Sequence, residues 1–126
     1  MKIAIVGSRE FKDKKLIESI VRLKFIKGDT FISGGARGVD SIAESIIDEF
    51  NKIFRVYSKN PQLIDKKIFK PDWDKYGKRA GAIRNKLIVN EADRIIAFWD
   101  GESKGTKITI DLAIKAGKPL DIYVRN

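Results

Sequence analysis

The chain has 126 residues, 43% of them hydrophobic and 34% charged, with a formal net charge of +9 and neither cysteine nor histidine. That length suits one domain with its own core, spanning residues 1–126. The charge favours anionic partners such as nucleotides or nucleic acid, against the alternative of a lysine-rich surface that serves solubility or heat stability. The two missing residue types exclude disulfides, thiolate chemistry, Cys/His zinc sites and histidine-based triads.

Lys2–Val6 is read as the first strand, followed by a turn at Gly7-Ser8-Arg9. Leu16, Ile17, Ile20, Val21 and Leu23 keep a helical period, which predicts an amphipathic helix over 13–26 that stops before Gly28. Thr30–Ser33 is the second strand, and it empties through Gly34 and Gly35 onto a helix for which Asp40 is the expected N-cap. Ile42, Ala43, Ile46, Ile47 and Phe50 mark that helix, and Ile53–Tyr57 reads as the third strand. Residues 58–74 read as an irregular, lysine-rich loop, long enough to suggest a function of its own. A helix is predicted over Tyr76–Asn90, a fourth strand over Arg94–Phe98 and a loop over Trp99–Lys104. Thr106–Ala116 reads as the last helix, stopped by Gly117 and Pro119, and Leu120–Val124 as the fifth strand.

Strands that alternate with helices and read as near-continuous apolar runs predict a parallel sheet covered on both faces. The expected fold class is α/β: a three-layer α/β/α sandwich with about five mainly parallel strands. In such sheets ligands sit beyond the carboxyl ends of the strands. Three polar or glycine-rich segments follow strands one, two and four, and so should share that edge. They are Gly7-Ser8-Arg9, Gly34-Gly35-Ala36-Arg37 and Gly101-Glu102-Ser103-Lys104-Gly105-Thr106. Glycines let backbone approach a ligand closely, and the N–H groups at a helix start favour an anion.

Gly-x-Gly-x-x-Gly and the Gly-Lys-Ser/Thr P-loop are both absent, which argues against a standard NAD site or ordinary ATP hydrolysis. Thr106 is either a phosphate-contacting hydroxyl or a simple cap. Arg84 falls inside the apolar stripe formed by Ala80, Ile83, Leu87 and Ile88, where an unpaired guanidinium costs several kcal/mol. Its partner is either Asp40 or Glu44, in a structural ion pair, or the phosphate or carboxylate of a ligand. Asn85 beside it can cap a loop or read a base edge. Trp73 is read as the anchor of the long loop on the core, with Asp74 capping the next helix. Stacking on a base is the alternative, and Tyr76 is open to either role.

The segments Gly7-Ser8-Arg9, Ser33-Gly34-Gly35-Ala36-Arg37-Gly38-Val39-Asp40, Asp72-Trp73 with Tyr76-Gly77, Ala80-Gly81-x-x-Arg84-Asn85 and Trp99-x-Gly101-x-Ser103-x-Gly105-Thr106 appear in that order. Together they resemble the SLOG superfamily of Rossmann-like domains, in particular its YspA-like, cpYpsA-related branch. The resemblance runs nearly end to end. It implies a nucleotide-binding domain in which Gly34, Gly35, Gly105 and Thr106 cradle phosphate while Arg9, Arg37 and Arg84 neutralise it. Gly7, Ser8, Ala36, Asp40, Tyr76, Asn85, Gly101 and Ser103 complete the candidate ligand site.

More distant relatives imply other activities. The DprA/Smf proteins of DNA processing carry similar Gly-Ser-Arg, Ser-Gly-x-Ala-Arg-Gly-x-Asp and Arg-Asn segments and bind single-stranded DNA, although Glu44 stands here where they usually have histidine. LOG-type phosphoribohydrolases pair an Arg-Lys helix motif with Gly-Gly-x-Gly-Thr-x-x-Glu. Here Asn85 replaces the lysine and Thr109 the catalytic glutamate, and a hydroxyl cannot act as that carboxylate. Asp40, Glu44 or Glu102 would have to take over.

The leading expectation is recognition of a nucleotide or nucleotide-derived small molecule by a sensing or sequestering domain, with catalysis left open and disfavoured by Thr109 in place of the LOG-type glutamate. Single-stranded nucleic-acid binding is the first alternative and hydrolysis through a relocated carboxylate the second. No cofactor and no metal is expected; a homodimer is allowed. No apolar run approaches the roughly 20 residues of a membrane span. Ile3–Val6 is too short for a signal core, so a cytoplasmic protein without a membrane partner is expected.

Overall fold

The computed structural model describes residues 1–125. In chain order they form β1 (Lys2–Gly7), α1 (Lys14–Lys24), β2 (Thr30–Ser33), α2 (Val39–Tyr57), β3 (Asp65–Ile68), α3 (Trp73–Tyr76), a 3-10 turn over Gly77–Arg79, α4 (Ala80–Glu91), β4 (Arg94–Trp99), α5 (Lys104–Lys115) and β5 (Leu120–Val124). The strands make one sheet in the order β3-β2-β1-β4-β5, with every pairing parallel. This is the expected α/β Rossmann-like architecture. No helix among the described residues is long and apolar enough to cross a membrane.

Side chains alternate across each central strand and split the core in two. Ile3, Ile5, Phe31, Ile96 and Phe98 face α1 and α2, where they meet Ile17, Val21, Ala43 and Ile47. Ala4, Val6, Ile32, Ile95 and Ala97 face the other way, onto Ile88 and Val89 of α4 and Ile110 and Ala113 of α5. β1 and β4 are buried on both faces, which is why they read as apolar runs rather than as alternating patterns.

The third strand lies elsewhere than expected. Ile53–Tyr57, with its β-branched and aromatic residues, is not a strand but the end of the 19-residue α2. Phe54 turns inward with Phe50, ring centroids 6.1 Å apart, while Ile53, Val56 and Tyr57 face outward. Helical packing of the Phe50/Phe54 pair overrides the local β preference. The actual strand, Asp65-Lys66-Lys67-Ile68, falls inside the segment expected to be irregular. Its composition suits a sheet edge, where charge discourages further pairing. Consecutive lysines point to opposite faces: Lys66 reaches Glu44 and Asp48 of α2 at 3.0 and 2.8 Å, and Lys67 reaches Glu91 of α4 at 2.9 Å.

The helix expected from Tyr76 to Asn90 is broken. Gly77 adopts φ +57°, a left-handed conformation that ends α3 and lets the chain re-enter as α4 three residues later. Asp72, not Asp74, caps α3, accepting the Lys75 N–H at 3.1 Å. Trp73 does not anchor the loop in the core; 56% of it is exposed.

Candidate functional site

All strands being parallel, the segments after β1, β2 and β4 meet at one edge. Sheet order reverses between β1 and β4, and a cleft of about 200 Å³ opens there. Gly7 and Arg9 line it from the β1 loop, Gly34 and Ala36 from the β2 loop and Asp40 from α2. Arg84 and Asn85 of α4 close one side, and Ser103, Gly105 and Thr106 the other.

Five of the expected site residues are not in the lining. Ser8 is buried beneath it: its hydroxyl pairs with that of Thr106 at 3.2 Å and accepts the Asp100 N–H at 3.3 Å, tying three elements together. Gly35 and Gly101 are exposed turn residues at φ +68° and +85°. Arg37 is exposed, and Tyr76 lies outside the cleft on α3 with the Lys75 ammonium over its ring at 5.2 Å. Val6 and Ile88 supply an apolar floor that sequence reasoning did not single out as part of the site. The signal was present only as their membership in an apolar strand and helix face.

Asp40 is not the N-cap of α2. Gly38 holds that position at φ +80°, and Asp40 is the second helical residue. Its carboxylate turns back to accept the Ala36 N–H at 3.1 Å, so it braces the β2 loop from within the helix. Thr106 likewise does not open its helix. α5 begins two residues earlier, and the Thr106 side chain is buried in the first turn, 3.4 Å from the Ser103 hydroxyl.

Arg84 is half-buried and pairs with backbone, not with Glu44, which is held by Lys66. Its Nη1 donates to the Gly34 carbonyl at 2.9 Å and its Nε to Asn85 Oδ1 at 2.8 Å. Nη2 has no hydrogen-bond partner among the described residues, leaving it available to a ligand. Close approach explains Gly34: a Cβ there would stand 2.9 Å from the Arg84 Cζ and push the guanidinium away. Burial lowers the Arg84 pKa, Asp40 opposes that effect, and the nearby Arg9 adds to it. Arg9 has no ion pair among the described residues. Two guanidiniums thus repel each other across a cleft onto which the free N–H groups of the α5 start also open, an arrangement that an anion relieves.

Burial pushes the Asp40 carboxyl up to about 6, while the Ala36 N–H, the Ser33 hydroxyl and Arg84 hold it from rising further. Because the fold disfavours the charged form, Asp40 costs stability above pH about 6. That cost is relieved as pH falls from there towards about 4, by on the order of 2 kcal/mol. Asp40→Asn is therefore expected to melt higher than the parent at pH 8 and to converge with it only below about pH 4, as read by thermal unfolding across that range.

Of the three carboxylates that could replace the LOG-type glutamate, Asp40 alone lines the cleft. Thr109 also lines it, but its hydroxyl donates to the Gly105 carbonyl at 3.1 Å. The Asp100 carboxylate organises the β4 loop by accepting the N–H groups of Glu102 and Ser103 at 2.9 and 2.7 Å, which hold its pKa low.

No family model matches the chain. DNA processing protein A from Helicobacter pylori, known from a structure describing its single-stranded DNA binding mode, shares the fold with a TM-score of 0.65 at 24% identity. That match covers 97% of this chain and 64% of the Helicobacter pylori chain, so this chain spans just under two thirds of that protein's length. The Gene 61 protein of Mycobacterium phage D29 is 33% identical over 125 residues, covering 94% of this chain and 93% of the phage protein. Identity at that level along nearly the whole of both chains shows that this protein belongs to the family of the phage D29 Gene 61 protein.

Proposed function

We propose that this protein binds single-stranded nucleic acid along the carboxyl edge of its sheet, with one backbone phosphate held in the cleft. The observation that carries this reading is the unpaired cationic lining: the Arg9 guanidinium and the Arg84 Nη2 beside the N–H groups of the α5 start. Further cations extend from that point along the same edge. Arg37, Lys70, Lys75, Lys78, Arg79 and Lys104 follow β2 and β3 or sit in α3, the 3-10 turn and the start of α5, and none has an ion pair among the described residues. The fold shared with a protein that binds single-stranded DNA supports the same reading.

Binding through phosphates releases counterions, with a log–log salt slope of about −0.7 per phosphate on a single strand. Three or more contacts are expected, giving a slope of about −2 or steeper for an oligo(dT) followed by fluorescence anisotropy. A flat slope, or no binding at low salt, would overturn the proposal.

A nucleotide-derived small ligand is the second reading, and with it assignment to the YspA-like branch of the SLOG superfamily. It is favoured by the size of the cleft, which suits a phosphate or phosphoribose better than a drug-sized molecule. Asp40 and Asn85 beside the arginines would then take hydroxyl or base-edge hydrogen bonds. Nucleoside monophosphates, cyclic nucleotides and ADP-ribose added to the oligonucleotide complex separate the two. Displacement at micromolar concentration supports the small ligand; displacement only at concentrations where simple salt also acts supports the strand.

A further inference from the structure

We propose that Trp73 is a nucleobase-stacking platform placed one helical turn from the phosphate-binding arginine. The inference rests on the strand-binding reading and adds the group that would engage the bases rather than the backbone.

Trp73 is the first residue of α3, and most large aromatic side chains in such a domain are buried. The Cη2 edge of its ring instead approaches Gly81 in the first turn of α4. A Cβ built at Gly81 would stand 3.7 Å from the Trp73 Cη2, in ordinary van der Waals contact. More than half of the side chain remains open to solvent. Gly81 and Arg84 are three residues apart on α4, so they share a helix face and are separated by about 4.5 Å along its axis. The aromatic surface therefore lies within the reach of one nucleotide from the guanidinium that faces the cleft.

Two further observations single out this ring. Tyr76, the other aromatic of α3, already has the Lys75 ammonium over its ring. Lys78 and Arg79, in the 3-10 turn that follows α3, have no ion pair among the described residues, and the Asp72 carboxylate beside Trp73 is turned into the α3 cap. An exposed indole on α3, followed by the unpaired cations Lys78 and Arg79, matches a base on the ring with its phosphates on those cations.

The test compares an oligo(dT) with a fully abasic strand of equal length. Trp73→Ala is expected to weaken oligo(dT) binding about tenfold, Trp73→Phe by only a few-fold, and neither to change binding of the abasic strand. Tryptophan quenching on oligo(dT) binding should vanish in Trp73→Ala, which keeps Trp99. If Trp73→Ala binds oligo(dT) unchanged and keeps the quenching while Arg84→Ala binds it weakly, the platform is overturned and the backbone reading stands. If the unsubstituted protein binds neither strand, both are overturned.

Discussion

On the strand-binding proposal, Arg84→Ala is expected to lower affinity for single-stranded DNA by about 10- to 100-fold, the effect of removing one charge-assisted contact worth roughly 1.5–3 kcal/mol. The side chain is held on two sides, by the Gly34 carbonyl and by Asn85, and this leaves Nη2 for the ligand. The salt slope should fall by about 0.7 at the same time, since one phosphate contact is lost. Arg84→Lys separates charge from geometry. An ammonium keeps the positive charge but cannot donate to Gly34, to Asn85 and to a ligand in the fixed directions of the guanidinium, so an intermediate affinity is expected. Anisotropy titrations at several salt concentrations give both quantities. An Arg84→Ala protein with parental affinity and slope would remove this residue from the interface.

The largest effect on stability is expected at Asn51, on the far side of α2 from solvent. Its side-chain amide donates to the Ile64 carbonyl and accepts from the Ile64 N–H, both at 2.8 Å and both buried. The side chain thus acts as a short piece of strand that pairs with the chain just before β3. Asn51→Ala leaves two buried backbone groups without partners, at about 1–3 kcal/mol each. A loss of about 3 kcal/mol corresponds to a drop in Tm on the order of 10 °C for a domain of this size. Thermal unfolding measures it. A shift of less than about 2 °C would mean that water or a local rearrangement satisfies Ile64 instead.

Asn51 also shows why the third strand was hidden. β1, β2 and β4 could be read because each carries the apolar residues that a sheet interior demands, and β5, though at an edge, because its residues are mostly apolar and β-branched or aromatic. β3 carries three charged residues in four and is held by partners far away in sequence. Those partners are the register with β2, the amide of Asn51 behind it and the lysine pairs to α2 and α4. None of these is a local pattern. The opposite error at Ile53–Tyr57 has the same origin, because four of those five residues are exposed and only Phe54 packs inward.

The site divides along similar lines. Alternation of strands and helices, with polar turns after strands one, two and four, was enough to place Gly7, Arg9, Gly34, Gly105 and Thr106 near one another. Arg84 stood out because a charge inside an apolar stripe needs a partner. What that partner is could not be read from a stripe, since the Gly34 carbonyl is 50 residues away and every residue carries a carbonyl.

The sequence by itself determined a parallel α/β sheet, the edge on which its polar loops gather and the basic character of that edge. These follow from periodicity, from chain direction and from composition, all of which are properties of the chain taken locally or in sum. Tertiary structure alone decided which residues form the polar edge strand, that Asp40 braces a loop from inside a helix, and that Arg84 rests on backbone with Nη2 left over. It also left Trp73 on the surface. Each of those outcomes depends on burial and on partners brought together by the fold, and the free energies that settle them do not exist until the layers have packed.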